Sequence, residues 1–290
     1  MIKIEAKFEI VTPMLHGAHQ TKAEIRVPSI KGMLRFWWRA INYNSNIYEL
    51  WEKDAFIFGS SDEKIGKSKV SIMLTENNTS TYYNKNPKPT GLDGEFKIRI
   101  DINEKQVDNT VYVYDEVVKV LKVVGLLGGI GSRSRRGYGS ISIVELKTDN
   151  NTQWEVPTNK DQYITELKNL LSNSKNNVSL PSYTAFYSGT RIVVSKKTFL
   201  TEQIAFQEIK KEYKNYNKKN EGFGLPSNRR NRRASPLFFH IHHISGQYIW
   251  TCVFFKSKFQ ESKDMPPDNY KAVDDFITRL TTTKGEEVKF

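Results

Sequence analysis

Strand-like and helix-like segments follow one another in the order βαββαβ between residues 2 and 147. Apolar and polar side chains alternate over residues 2–11, which is the pattern of a strand with one buried face. Apolar residues then recur at helical spacing over Ser29–Ile41, and Ser29 is the predicted N-cap. The other predicted elements of this half are two strands, a helix and a last strand, at residues 69–74, 95–102, 111–125 and 140–147. Domains with this order have the ferredoxin-like, RRM-like fold.

The second half of the chain predicts a related order. Ser245-Gly246 lies between two apolar strands and is a hairpin signal. We therefore predict an α+β protein with two tandem ferredoxin-like (RRM-like, βαββαβ) folds, an N-terminal domain over 1–148 and a C-terminal domain over 149–290. The elements predicted in the second half are a helix, a strand, a helix, two strands and a helix, at residues 163–171, 191–197, 201–219, 237–244, 247–255 and 268–280.

The composition is that of a basic globular protein of 290 residues with a formal net charge of +12. It has no run of about 20 apolar residues, so we predict no membrane span. Cys252 is the single cysteine, which excludes an internal disulfide and is typical of a reducing compartment, so we expect a cytoplasmic protein. A basic excess favours contact with nucleic acid or an anionic membrane, although it also serves solubility alone.

Two stretches resemble nucleotide-binding motifs but lack their spacing. Gly66-Lys67-Ser68 matches the end of a Walker A loop, yet Ser61 stands where that loop needs its first glycine, and a predicted strand follows instead of a helix. The stretch GGIGSRSRRGYGS at 128–140 lacks the dinucleotide fingerprint, and it follows a helix and precedes a strand, which reverses the required order. We therefore predict no cofactor.

The glycine-rich stretch at 128–140 suits the phosphates of a nucleic-acid backbone instead. Glycines let backbone N–H groups approach an anion, arginine forks match phosphate oxygens, and a tyrosine can stack on a base. We therefore predict a flexible RNA-binding loop, with a plain glycine-rich connection carrying solvated arginines as the alternative. Its candidate RNA contacts are Gly129, Gly131, Ser132, Arg133, Ser134, Arg135, Arg136 and Tyr138.

Two other basic clusters lead to the same prediction. Lys31, Arg35 and Arg39 lie on one face of the first helix, where like charges cost roughly 0.2–0.5 kcal/mol per pair in an isolated helix. A bound polyanion would reverse that cost. Trp38 is predicted to flank the basic stripe formed by these three residues, while Trp37 is predicted to enter the core. For each of the two clusters, the alternative to RNA binding is a plain surface whose charges are solvated. The second cluster lies in a predicted loop, at Arg229, Arg230, Arg232 and Arg233.

The five histidines are candidates for chemistry. His16 and His19 follow the first strand, where a histidine can act as general base on a ribose 2′-hydroxyl or bind a phosphate or a carbonyl. We favour binding for His16. Alternation places His240 and His242 on one strand face and His243 on the other. No cysteine or acidic cluster lies at ligand spacing from them, so we predict no metal site.

Several stretches together resemble the RAMP superfamily of CRISPR-associated proteins, and within it the first-numbered subunit family of the Cmr, or type III-B, RNA-guided effector complex. The most specific part is the lysine-glycine-x-leucine-arginine helix followed by the Gly-x-Gly-Ser-Arg loop. The stretches are TPMLHGA, VPSIKGMLRFWWRA, FIFGS and GGIGSRSRRGYGSI, with FGLP and RRASPLFFHIH in the second half.

This resemblance implies tandem ferredoxin-like folds, a glycine-rich loop that touches RNA, and a place near the 3′ part of the guide RNA, with target cleavage belonging to another subunit. It implies RNA contacts for Lys31, Arg35, Arg39, residues 129–138 and, more weakly, His16. Because base pairing reads the sequence, such a protein needs to read only backbone and shape. The implied partners are CRISPR guide RNA, target RNA and the other Cmr-complex subunits, with no membrane.

We therefore predict an RNA-binding subunit of antiviral defence without catalysis of its own. One alternative is a metal-independent endoribonuclease that processes CRISPR transcripts, with His16 as the base and Lys31 or Arg35 stabilising the developing charge. Another alternative is a basic scaffold that meets only acidic protein surfaces.

Overall fold

The structure, a computed structural model, divides the chain into two compact units. Unit 1 comprises residues 1–134 and 138–157, and unit 2 comprises residues 135–137 and 158–290. The residues that the structure describes are 1–16, 23–83, 89–103, 113–148, 154–176, 179–216, 221–224, 234–258 and 270–290. Within these ranges, no helix is long and apolar enough to cross a membrane.

Unit 1 has a four-stranded antiparallel sheet with the strand order β2-β3-β1-β4. This order and the succession of elements confirm the predicted ferredoxin-like fold. Helix α2 is an addition that the sequence analysis did not predict. The elements are β1 Ile2–Met14, α1 Val27–Ile41, α2 Ile47–Phe58, β2 Val70–Tyr83, β3 Pro89–Ile102, α3 Val113–Leu127 and β4 Ile141–Thr148.

The start of α1 differs from the prediction. The helix begins at Val27, with Pro28 in its first turn, and Arg26 occupies the N-cap position without a side-chain hydrogen bond. Proline fits this position because its fixed φ is helical and its missing N–H would have no intrahelical partner. Ser29 therefore lies inside the first turn and does not cap the helix.

The two faces of the unit 1 sheet differ in chemistry. The inner face is apolar, and Phe8 of β1 stacks on Phe96 of β3 with ring centroids 5.1 Å apart. The outer face is charged, and its ion pairs join neighbouring strands or residues two apart on one strand. The pairs are Lys7–Glu95 at 2.7 Å, Lys97–Glu5 at 2.9 Å, Lys97–Glu76 at 3.7 Å, Arg99–Asp101 at 3.2 Å and Lys147–Glu145 at 2.6 Å.

Unit 2 repeats the fold with the strand order β6-β7-β5-β8, again antiparallel. The predicted hairpin is confirmed, because Ser245 and Gly246 both have positive φ, at 43° and 80°, as a type I′ turn requires. The elements are α4 Lys160–Leu171, β5 Arg191–Ser195, α5 Glu202–Tyr216, β6 Leu237–Ile244, β7 Gln247–Phe254, α6 Lys271–Thr283 and β8 Gly285–Val288.

Helices cover both faces of the unit 2 sheet. On one face, Tyr163 of α4 lies 2.9 Å from the Thr251 hydroxyl and its ring centroid is 4.7 Å from that of His242. On the other face, Tyr213 of α5 packs edge-on against Phe239 at 5.3 Å. Strands β6 and β7 are therefore almost entirely buried, which is why they read as nearly continuous apolar runs.

Candidate nucleic-acid interface

Most of the predicted RNA-binding residues lie in unit 1, and two of them, His16 and Gly131, line a cleft there. Its walls are the end of β1, the start of α1 and the glycine-rich loop, which contribute residues such as His16, Arg26, Ser29 and Gly131. The first turn of α1, all of which the structure describes, has no acidic side chain. The positive end of the helix dipole at the cleft is therefore not neutralised by a carboxylate of that turn. Glu24 also lines the cleft, and one carboxylate oxygen lies 3.3 Å from the Arg26 guanidinium.

The basic stripe of α1 is partly neutralised inside the chain. Asp54 of α2 is fully buried, and its carboxylate accepts hydrogen bonds from Arg35 Nη2 at 2.5 Å and Nε at 3.2 Å. Arg35 Nη1 also donates to the carbonyl of Gly59 at 3.3 Å. The like charges on α1 are thus offset by a carboxylate from a neighbouring helix. Arg35 is an internal ion-pair partner with a side chain only 28% exposed, which weakens its predicted role as an RNA contact.

Lys31 and Arg39 keep more of their charge for an external anion. The Arg39 side chain is 43% exposed, and its Nη1 lies 3.8 Å from Asp54, beyond hydrogen-bonding distance. Burial lowers the pKa of Lys31, the positive charge of Arg35 lowers it further, and Asp54 opposes both. An anion beside Lys31 would counter both effects, because it stabilises the ammonium form.

Trp38 does not flank the stripe as predicted. Its side chain is 2% exposed, and its indole Nε1 donates to a carboxylate oxygen of Glu116 at 2.6 Å. The ring of Phe58, from α2, contacts it edge-on at 6.4 Å. Trp37 and Trp38 are both buried because α2 covers a second side of α1. Trp38 is therefore a core residue with a satisfied donor, and its ring is not available to stack on a base.

The glycine-rich loop is ordered, not flexible as predicted, because it is hydrogen-bonded to the end of β1. Ser132 N donates to the carbonyl of Leu15 at 2.9 Å, and Ser132 Oγ donates to the carbonyl of His16 at 2.8 Å. Gly139 N donates to the carbonyl of Pro13 at 3.0 Å. Gly129 pairs with Ser140 as an antiparallel bridge, which closes the base of the loop.

Two of the glycines serve close backbone approach. At Gly139, where φ is 60°, an added Cβ would lie 2.0 Å from the carbonyl oxygen of Ile130. At Gly131, where φ is 80°, it would lie 2.6 Å from the Leu15 oxygen. Side chains are excluded at both positions. These glycines are thus explained by packing against β1, which differs from the predicted anion-binding nest.

The three arginines of the loop separate. Arg133 is in unit 1, is exposed and has a φ of 59°. Arg135 and Arg136 belong to unit 2, where Arg136 forms a parallel bridge with Phe239 and the Arg135 carbonyl accepts from Phe239 N at 3.1 Å. This short segment extends the sheet beside β6. Ser134 and Tyr138, on either side of it, are half-buried in unit 1.

Because neighbouring residues of an extended segment point to opposite faces, the two arginines lie on opposite faces of the sheet. The Arg135 guanidinium lies 4.6 Å from the ring centroid of Phe238, and its Nη1 donates to the Ser235 carbonyl at 3.0 Å. The Arg136 guanidinium lies 4.2 Å from the ring centroid of Tyr213. Burial lowers the pKa of both arginines. Both predicted RNA contacts are therefore engaged inside unit 2.

The remaining candidates divide between buried and undescribed positions. His240 and His242 are buried, with Nε2 of the first 3.4 Å from Nδ1 of the second, and burial followed by His240 holds the pKa of His242 well below its usual range. Among the residues that the structure describes, no group of three or more His, Cys, Asp and Glu could hold a metal ion. His19 and the cluster Arg229, Arg230, Arg232 and Arg233 lie outside the described residues.

Two residues of the candidate site were missed by sequence reasoning. Asp54 controls the charge of α1 from a helix that was not predicted, so no sequence signal connected it to Arg35. Arg26 lines the cleft directly before α1, and its place next to the predicted helix start could have indicated it.

Comparison with known proteins gives a consistent family. Residues 7–142 match the family model of the RAMP superfamily. The CRISPR system Cmr subunit Cmr1-1 of Pyrococcus furiosus is 29% identical over 291 aligned positions, which cover 86% of this chain and 85% of that protein.

Solved structures agree in fold. The crystal structure of Cmr1 from Pyrococcus furiosus, in its apo form, aligns with a TM-score of 0.68 and 24% identity over 96% of this chain and 97% of that one. A chain of the cryo-EM structure of the type III-B Cmr-beta bound to cognate target RNA aligns with a TM-score of 0.60 and 12% identity over 97% of this chain and 99% of that one. The chain is thus similar to the RAMP superfamily over residues 7–142 and to the Cmr1 subunit of Cmr complexes over most of its length.

Proposed function

We propose that this chain is an RNA-binding, non-catalytic subunit of a Cmr-type, type III-B CRISPR interference complex, in which it contacts the backbone of guide or target RNA. Its relative is a Cmr subunit, and a chain of similar fold occurs in a Cmr-beta structure bound to target RNA. The partners are guide RNA, target RNA and the other subunits of the complex, and the function belongs to antiviral defence inside the cell.

The observation that supports RNA binding is a set of three cations of unit 1 that reach its surface, the exposed Arg133 and the half-buried Lys31 and Arg39. Lys31 and Arg39 are eight residues apart on α1, which is about 12 Å at 1.5 Å per residue, a span that covers several phosphates. Arg133 extends from the glycine-rich loop, whose Gly131 lines the unit 1 cleft. We assign phosphate contacts to these three residues. Arg35 is assigned an internal role, as the ion-pair partner of Asp54.

The outer face of the unit 1 sheet is the less suitable RNA surface. RRM proteins stack bases on aromatic side chains of the sheet. Here the outward residues of β1 and β3 are charged, and their carboxylates pair with the lysines at 2.7 to 2.9 Å. A backbone of phosphates would have to displace those carboxylates. We therefore propose that the RNA lies along α1 and the glycine-rich loop and not on the sheet.

The test is a fluorescence-anisotropy titration of the full chain with labelled single-stranded RNA at several salt concentrations in EDTA. Each phosphate contact on a single strand contributes about 0.7 to the slope of log K against log salt. Replacing Lys31, Arg39 and Arg133 by Ala should therefore reduce the slope by about 2. The matched control replaces Lys7, Lys97 and Lys147, which removes the same charge from the paired sheet face and should leave the slope nearly unchanged. Equal losses in both triple variants would contradict the proposed site.

The same samples on a denaturing gel test catalysis. His16 lines the cleft, which keeps a metal-independent endoribonuclease as the second candidate function. Intact RNA is expected. RNA cut in EDTA by the wild-type chain, and left intact by His16→Ala, would replace the proposed function with the nuclease. Absence of both binding and cutting would favour a scaffold that meets acidic protein surfaces.

A further inference from the structure

The N-terminal half of α2 exposes an aromatic and apolar strip. Ile47 is 56% exposed and Tyr48 is 63% exposed, and the half-buried Trp51 ring lies 5.7 Å from that of Tyr48 at an angle of 35°. The side chain of Asn46 caps the helix by accepting from the amides of Tyr48 and Glu49, at 3.1 and 3.4 Å. The strip is therefore presented on a well-defined helix end, so little ordering is needed for binding.

The strip is bordered by carboxylates in a chain whose net charge is +12. Glu49 and Glu52 are exposed on the same helix, and Tyr48 is hydrogen-bonded to Glu52. That bond, followed by the charge of Glu52 and more weakly by that of Asp62, raises the pKa of the Tyr48 hydroxyl. Lys53 is also exposed on this helix, so the two carboxylates leave an excess of negative charge, which opposes the approach of phosphates and favours a cationic group.

We propose that this face of α2, formed by Ile47, Tyr48, Glu49, Trp51 and Glu52, is a docking surface for a basic segment of a partner protein subunit. Aromatic faces attract an arginine or lysine side chain, and adjacent carboxylates can pair with its charge. Trp, Tyr and Arg dominate the binding energy of protein interfaces. RNA is the less favourable ligand for this surface. If a base stacked on the same rings, Glu49 and Glu52 would lie next to the RNA phosphates and repel them.

The inference rests on the proposed function in one respect, that the partner is another subunit of the Cmr complex. The experiment measures the Kd of the labelled full chain for the remaining Cmr subunits of the same organism, assembled on guide RNA without this chain. The double substitution Tyr48→Ala with Trp51→Ala should raise that Kd at least about tenfold. Glu52→Lys, a milder surface change, should also raise it. The control pair Leu200→Ala with Ile204→Ala removes two exposed apolar side chains of unit 2 and should leave it unchanged.

Each outcome separates the possibilities. An unchanged Kd for the α2 variants overturns the docking surface alone. A loss of affinity for labelled single-stranded RNA by the isolated α2 variants also overturns it, in favour of base stacking. Failure of the unmodified chain to join the complex overturns the proposed function, and the docking surface with it. Weaker assembly with unchanged RNA affinity of the isolated chain is the result that supports the inference.

Discussion

Among single residues, Asp54 has the largest influence on the candidate RNA surface. Its buried carboxylate accepts hydrogen bonds from Arg35, so the half-buried Lys31 and Arg39 are the cations of the stripe that remain for an external anion. The charge pattern along one helix does not reveal this, because the counter-charge comes from another element.

Replacing Asp54 by Asn should therefore have two opposite effects. The free energy of unfolding should fall by about 1–3 kcal/mol, because charged hydrogen bonds are lost and Arg35 is only partly exposed to water. The RNA salt slope should rise by about 0.7, because the released guanidinium can contact one more phosphate. Urea denaturation and the anisotropy titration measure the two quantities.

The matched substitutions are Arg35→Ala and Arg39→Ala, which remove the same charge from the same helix. Arg35→Ala should lower stability and keep the salt slope, whereas Arg39→Ala should lower the slope by about 0.7 and change stability by less than about 0.5 kcal/mol. An equal slope change for both would show that Asp54 does not separate their roles.

At the scale of elements, the segment 135–137 shows why a basic motif alone does not define an RNA site. It lies beside β6 as an extension of the unit 2 sheet, and its two arginines cover Phe238 and Tyr213 on opposite faces. The spacing of glycines and arginines could be read from the sequence. The partner rings could not, because Phe238 lies 103 residues after Arg135 and Tyr213 lies 77 residues after Arg136.

The paired substitution Arg135→Ala with Arg136→Ala should lower the free energy of unfolding by about 1–3 kcal/mol. Each cation–π contact is worth roughly 0.5–2 kcal/mol, and the Ser235 carbonyl also loses its donor. The RNA salt slope should not change. Arg133→Ala is the control, because it should reduce the slope by about 0.7 with little effect on stability. A reduced salt slope in the paired variant would instead support the RNA contacts that the sequence predicts for Arg135 and Arg136.

At the scale of the whole molecule, the sequence was sufficient for the fold and insufficient for much of the site. Both ferredoxin-like orders could be predicted, because local periodicity and turn residues such as Ser245-Gly246 encode them. Helix α2 was missed because Ile47, Tyr48 and Trp51 are not in the core, which blurs its apolar face. Its absence from the prediction also misplaced Trp38 and concealed Asp54, so one unrecognised helix accounts for two errors at the site.

Unit 2 should lose stability in acid, because a histidine with a strongly lowered pKa lies in its core. Burial, together with His240 and His243, holds the pKa of His242 well below its ordinary value of about 6.5. The unfolded chain therefore binds this proton more readily than the folded chain. The contribution of neutral His242 to the free energy of unfolding is fully present above about pH 6.5 and is lost as the pH falls below that value. The free energy of unfolding should therefore be lower at pH 5.5 than at pH 7.5. Urea denaturation at both pH values measures the loss, and His242→Gln should remove this part of it. If the variant loses as much stability in acid as the wild type, another group is responsible. If the stability of the variant does not change between the two pH values, His242 in the core of unit 2 accounts for the acid sensitivity.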